Sequence, residues 1–129
     1  MDTQIHHNAF RIAKGKLGMV KELFSKLGMT VSYEPFDDEW ALFKQEGNDV
    51  RIQVIEVSKE AKYFEGKEES HIGFISKNPV SDIAEIEKFA KENELVFVKG
   101  SWSDQEHWFD MSELFVDFVI EIMDKKILD

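Results

Sequence analysis

The chain has 129 residues, 43% hydrophobic and 33% charged, the make-up of one globular domain able to bury a sizeable core. Its formal net charge of −10 sets it against nucleic acid and anionic membranes, and the absence of cysteine excludes disulfides, thiolate metal ligands and a cysteine nucleophile. No apolar run approaches the roughly 18 residues of a membrane span, and the first residues show no signal-peptide pattern, so a cytoplasmic protein is expected.

Residues 5–13 read as a strand. Leu17, Val20, Phe24 and Leu27 then recur at spacings of three and four, which is one face of a helix, and Gly28 follows as its stop. Met29–Glu34 reads as a strand ended by Pro35 and Asp37-Asp38. Trp40–Gln45 and Val50–Val57 read as two more, joined by the turn Gly47-Asn48-Asp49. Ser58–Ser70 is polar and reads as a connector with a helical turn near Lys59–Phe64. The acidic clusters Asp37–Glu39 and Glu65–Glu69 read as solvated loops. The order then recurs. His71–Ser76 is a strand, Asn78-Pro79 starts a helix with Ile83, Ile86, Phe89 and Ala90 on its apolar face, and Leu95–Val98, His107–Met111 and Leu114–Met123 read as strands.

The chain therefore nearly repeats itself. His7 and His71 each open the first strand of a half, 71 − 7 = 64 residues apart, and Gln53 and Asp117 sit inside the last strands at the same offset, 117 − 53 = 64. The helical faces fit an offset of 63, and Trp40 matches Trp108 at 68, so small insertions separate the halves. Alternation along each strand sorts the faces. Even positions, among them Phe10, Val54, Phe74 and Phe118, are apolar and are expected beneath the two helices. Odd positions place His7, Arg11, Arg51, Gln53, His71 and Asp117 on the opposite, concave side. The expected fold is α+β: two βαβββ modules, about 5–57 and 71–124 with a connector at 58–70, forming a cupped mixed sheet with the helices on its outer face.

Two βαβββ modules with a His opening each, and the stretch Glu22-Leu23-Phe24-Ser25-Lys26-Leu27-Gly28-Met29 between first helix and second strand, resemble the vicinal-oxygen-chelate superfamily. That superfamily includes glyoxalase I, the extradiol dioxygenases, the fosfomycin-resistance transferases and the bleomycin-resistance proteins. The resemblance implies metal positions at His7, Gln53, His71 and Asp117, with Asp117 also moving a substrate proton. It implies that Arg11, four residues after the first His, holds a substrate carboxylate; Arg51, the only other arginine, falls on the same face. Gln53 stands where a carboxylate is common. The usual Asp-Pro-Asp-Gly turn before the last strand is here Asp110-Met111-Ser112-Glu113.

Two imidazoles and one carboxylate with open positions suit Zn, Ni, Mn or Fe as a divalent ion. The implied activity is that of a divalent-metal-dependent lyase or isomerase acting on a small carbonyl or carboxylate compound. An Fe(II) extradiol-type dioxygenase and a metal-free sequestration protein like the bleomycin-resistance proteins are the alternatives, since the same polar residues would equally line a metal-free pocket. The expected partner is a small-molecule ligand, and a homodimer is expected because an open cup leaves an apolar edge. His6 is expected to point away from the site, and His107 reads as surface or pocket wall. Trp40, Trp102, Trp108 and Phe43 read as pocket lining or core.

Overall fold

A computed structural model describes residues 1–36, 39–59, 61 and 64–128. The acidic pair Asp37-Asp38, and Glu60, Lys62 and Tyr63 of the expected helical turn near Lys59–Phe64, lie outside the described residues. The chain divides into two compact units, Met1–Glu60 and Ala61–Asp129. Each is one βαβββ module with a four-stranded mixed sheet and one helix, as the repeat predicts.

The first unit runs β1 (His7–Ala13), α1 (Leu17–Lys26), β2 (Thr30–Tyr33), β3 (Trp40–Lys44) and β4 (Arg51–Val57), in sheet order β1-β4-β3-β2. β1 and β4 are parallel, and the other neighbours are antiparallel. Helix α1 buries Leu17, Val20, Leu23 and Phe24, and the Phe24 ring meets Phe43 of β3 edge-on at 4.9 Å between centroids. Cross-strand pairs share a face, so the registers Phe43↔Ile52, Ala41↔Val54 and Phe10↔Val54 put all these residues on the helix side. Glu56 continues that face, and its Oε2 accepts from the Leu17 backbone N–H at 2.8 Å, holding the first turn of α1 against β4. The helix ends where Gly28 takes φ +81°, while the Met29 N–H reaches back to the Phe24 carbonyl. Only glycine accepts that left-handed conformation cheaply.

The second unit runs β5 (His71–Ser76), α2 (Pro79–Glu92), β6 (Val98–Ser103), β7 (Glu106–Asp110) and β8 (Val119–Asp124), in sheet order β5-β8-β7-β6. Asn78 caps α2 through the Ser81 N–H, with Pro79 in the first turn. Ile83, Ile86, Phe89 and Ala90 face the sheet residues Ile72, Phe109, Ile120 and Ile122, all buried. The even-position reading thus holds along β1, β4, β5 and β8, with Val54 wholly buried and Phe10 and Phe74 half-buried; Phe118 is buried in the turn before β8, and in β3, β6 and β7 the helix side is odd-numbered.

Two strands differ from expectation. The apolar run Leu95–Val98 is not the sixth strand. Phe97 instead stacks on Phe109 at 5.5 Å, and the strand is the more polar Val98–Ser103 at the sheet edge. The run Leu114–Met123 is not one strand either. β8 begins only at Val119, and Leu114–Phe118 is a turn whose Leu114, Phe115, Val116 and Phe118 side chains are buried. A continuous apolar run signals burial and not conformation.

The segment Glu65–Glu69 is no solvated loop. A single 3₁₀ turn at Lys67–Glu69 drives Lys67 into the interior. Lys67 Nζ donates to Asp110 Oδ1 at 2.9 Å, to Asp110 Oδ2 at 3.1 Å and to the Phe115 carbonyl at 2.8 Å, and both charged side chains are 0% exposed. Burial pushes the Asp110 carboxyl above its usual range, while Lys67 pulls it back. Removing one partner strands the other charge in the interior. Lys67→Ala is expected to lower stability by about 3–5 kcal/mol in urea unfolding, and Lys67→Met combined with Asp110→Leu should recover most of that loss.

Candidate functional site

The face of each sheet opposite its helix carries the odd-numbered positions of β1, β4, β5 and β8 and the even-numbered positions of β3, β6 and β7. In the second unit one row crosses all four strands through the registers Gly73↔Glu121, Trp108↔Glu121 and Gly100↔Trp108. Two glycines flank two large side chains. A Cβ on Gly73 would lie 3.3 Å from Glu121 Oε1, and one on Gly100 only 2.6 Å from Trp108 Cζ2. Each glycine makes room for the side chain beside it.

His71, two residues before Gly73, stands on the same face. Its Nε2 lies 3.5 Å from Glu121 Oε1, and its ring meets that of Trp102 at 5.3 Å. β5 and β6 are the two edges of this sheet, about 14 Å apart if it were flat. A ring contact between their side chains therefore requires the sheet to curl, with His71, Glu121, Trp108 and Trp102 on the inside of the curve. This is a cup within one module, whereas the expected cup was a single sheet built from both.

One hydrogen bond orients the His71 ring. Its Nδ1 lies 3.0 Å from the Glu68 carbonyl oxygen, which only accepts, so Nδ1 donates and Nε2 is the nitrogen turned toward Glu121. A carboxylate oxygen and a ring nitrogen then face one another, an arrangement suited to a shared proton or a cation. Burial raises the Glu121 pKa, His71 lowers it and Glu106 raises it further, with a net upward shift from 4.5. The donor pair fits a divalent metal. A histidine whose Nδ1–H is held by a backbone carbonyl is oriented as metal-ligating histidines are.

In the first unit the corresponding row is Ala9, Gln53, Leu42 and Tyr33. Again a small residue sits beside the polar group on the last strand. His7 pairs with Arg51 in the register and lies on this same face, and its Nδ1 is 3.0 Å from His6 Nδ1; both histidines are exposed. Arg51 turns to its own loop, donating from Nη1 to the Asp49 carbonyl at 2.8 Å and to that of Asn48 at 3.4 Å. Arg11 lies on β1, exposed, on the His7 face.

Register corrects the alignment of the halves. His7 pairs with Arg51 and His71 with Val119, so the residue that corresponds to Gln53 is Glu121, at an offset of 121 − 53 = 68. Asp117, expected on the last strand, lies in the turn before it and is half-buried. Leu42, not Trp40, corresponds to Trp108, at 108 − 42 = 66. The usable signal for Glu121 was its charge in an apolar strand. Among the described residues, no group of three His, Asp or Glu side chains converges as a complete metal site.

No protein-family model matches the sequence, and no curated protein matches it either. Solved structures do match in fold. A trypanothione-dependent glyoxalase I of Leishmania major has a TM-score of 0.61 at 14% identity, covering 98% of this chain and 90% of that one. A member of the glyoxalase/bleomycin resistance protein/dioxygenase superfamily from Sphaerobacter thermophilus has 0.60 at 11%, covering 97% and 99%. The antibiotic-binding protein TnmS3 of a Streptomyces species has 0.56 at 9%, covering 95% and 96%. The chain has the vicinal-oxygen-chelate fold.

The raised Glu121 pKa has a consequence for stability. A carboxyl whose folded pKa lies above its unfolded value stabilises the fold most when protonated, and that contribution is lost as pH rises through the folded value. Thermal melts from pH 4 to pH 8 should therefore show Glu121→Gln losing less stability with rising pH than the parent chain. Parallel curves would place Glu121 in a wetter setting than its burial indicates.

Proposed function

We propose that this chain is a small-molecule-binding protein whose module-two cup, built on His71 and Glu121, serves a divalent-metal-dependent lyase or isomerase reaction on a small carbonyl or carboxylate compound. The observation that carries the reading is the approach of His71 Nε2 to the Glu121 carboxylate at 3.5 Å, with Trp102 against the His71 ring and Trp108 beside Glu121. His71 and Glu121 are the ligands this module offers. The resemblance implies His7 and Gln53 as the corresponding ligands of module one, and Arg11 as the partner of a substrate carboxylate. When bound, the metal supplies Lewis acidity toward a substrate carbonyl oxygen.

The chain's own residues do the rest. Glu121, with its pKa raised by burial, is suited to take a proton from the carbon beside a carbonyl and return it to the neighbouring atom. Trp108, buried within the row beside Glu121, and the more exposed Trp102 limit water around that proton. Glu121 thus assumes the proton-transfer role that the resemblance implied for Asp117.

Metal analysis of protein purified without chelator tests the reading. The chain should carry a stoichiometric divalent ion. His71→Ala and Glu121→Gln should each weaken its binding by roughly tenfold or more, while Asp117→Asn leaves it near the parent value. Proton–deuterium exchange beside the carbonyl of a small hydroxyketone, followed by NMR, should depend on Glu121. Metal-free protein that binds planar ligands equally well would move the reading to sequestration, for which the half-exposed Trp102 against His71 is the natural platform. Oxygen-dependent turnover with Fe(II) would move it to a dioxygenase.

A homodimer is part of the proposal. The edge strand β2 exposes Val31 and Tyr33, a liability that pairing with a second copy removes. Sedimentation at micromolar concentration should give twice the chain mass of 15.1 kDa, and a lone monomer would refute it.

A further inference from the structure

On the helix side of the second sheet, away from the cup, a cleft of about 290 Å³ is lined by Val80, Ile83, Lys99, Gly100, Ser101 and His107. Ser101 and His107 are direct cross-strand partners on β6 and β7. Ser101 Oγ lies 2.7 Å from His107 Nδ1, and His107 Nε2 lies 3.0 Å from the Asp104 carbonyl oxygen. A carbonyl oxygen only accepts, so Nε2 carries the ring proton. Nδ1 is then the acceptor, and the Ser101 hydroxyl donates to it. A hydroxyl bonded to the basic nitrogen of an imidazole, whose other nitrogen is held by a third group, is the arrangement that activates a serine. The two neighbouring features fit an acyl substrate. Val80 and Ile83 provide an apolar wall, and Lys99, which also reaches Glu87 of α2 at 2.9 Å, brings a cation to the same cleft. Ser103, two residues along the same strand, lacks this arrangement, since its hydroxyl donates to the Glu106 carboxylate at 2.9 Å.

We propose that Ser101 is a nucleophile activated by His107 and that the cleft accepts small esters with an apolar acyl group. Ser101 Oγ bonds to the acyl carbon while its proton passes to His107 Nδ1. The bond from that carbon to the leaving oxygen breaks, and the leaving alcohol departs with the proton. Water then adds to the acyl carbon, the carboxylic acid is released and Ser101 regains its proton, so the sum is ester plus water giving acid plus alcohol. Lys99 is the cation available to the oxygen that becomes negative in each half.

The test is covalent labelling of the full-length chain with an alkyl fluorophosphonate, a reagent in which fluoride leaves as the serine oxygen bonds to phosphorus. The expected result is a single adduct on the peptide containing Ser101, absent in Ser101→Ala, with p-nitrophenyl butyrate showing a matching burst. His107→Gln should slow labelling by about 100-fold or more, the usual share of a general base, with its thermal melt unchanged. His107→Asn serves if the glutamine variant does not fold. A merely structural serine–histidine contact would change the melt and leave the labelling rate alone. Adducts spread over Ser103 and other serines, an unchanged rate in a folded His107 variant, or no adduct on the parent chain would each overturn the proposal. The parent's labelling pattern alone decides the matter if neither variant folds.

Discussion

The buried ammonium of Lys67 governs the geometry of the second module. Its three protons find acceptors in two other segments, both oxygens of Asp110 at the end of β7 and the Phe115 carbonyl in the β7–β8 turn, so that with Lys67 itself, ahead of β5, three segments are joined. Such a cluster is costly to desolvate and costlier to leave half made, so the three segments hold one arrangement. Two consequences reach the cup. The turn Leu114–Phe118 can bury its apolar side chains because the Phe115 carbonyl is satisfied internally. The 3₁₀ turn that inserts Lys67 also aims the Glu68 carbonyl at His71 Nδ1, leaving Nε2 for Glu121.

Much of the architecture was legible in the pattern of residues. Spacing gave both helices, with Gly28 as the stop of the first and Asn78-Pro79 as the start of the second, and alternation gave the faces of β1, β4 and β5 and of the apolar positions of β8, because burial on one side of a sheet writes a period of two into the sequence. What alternation does not write is register across a sheet. The halves share an offset of 64 at the first strands, 66 at the third and 68 at the last. The final step of two comes from the β7–β8 connection, Met111–Phe118, which is two residues longer than Gln45–Val50 between β3 and β4. Projecting a single offset onto the last strand thus lands on Asp117, four positions short of Glu121. Parity could not reveal the slip, since both numbers are odd.

Lys67 was illegible for a different reason. Five of the residues from Glu65 to Ser70 are polar or charged, and a charge run is normally a solvated face. Nothing local distinguishes the one lysine whose acceptors lie 43 and 48 residues further along the chain. β6 was missed by the converse error. Leu95–Phe97 is more apolar than the strand, but an edge strand needs little burial, and its Gly100 is there for Trp108 and not for the backbone.

The two modules use the same row of positions for different ends. On the last strand Gln53 meets Ala9 in one and Glu121 meets Gly73 in the other, so both place a polar oxygen beside a small residue on the first strand. On the outer strand the rows diverge, with Tyr33 in the first module and Gly100 in the second. Tyr33 is spent on a ring contact with Trp40 at 5.7 Å, whereas Gly100 yields its space to Trp108, which backs Glu121. A neutral amide on an open face stays hydrated and keeps its chemistry mild. A carboxyl between an imidazole and an indole is desolvated, and its affinity for a proton rises, so the two modules hold chemically different groups at equivalent positions.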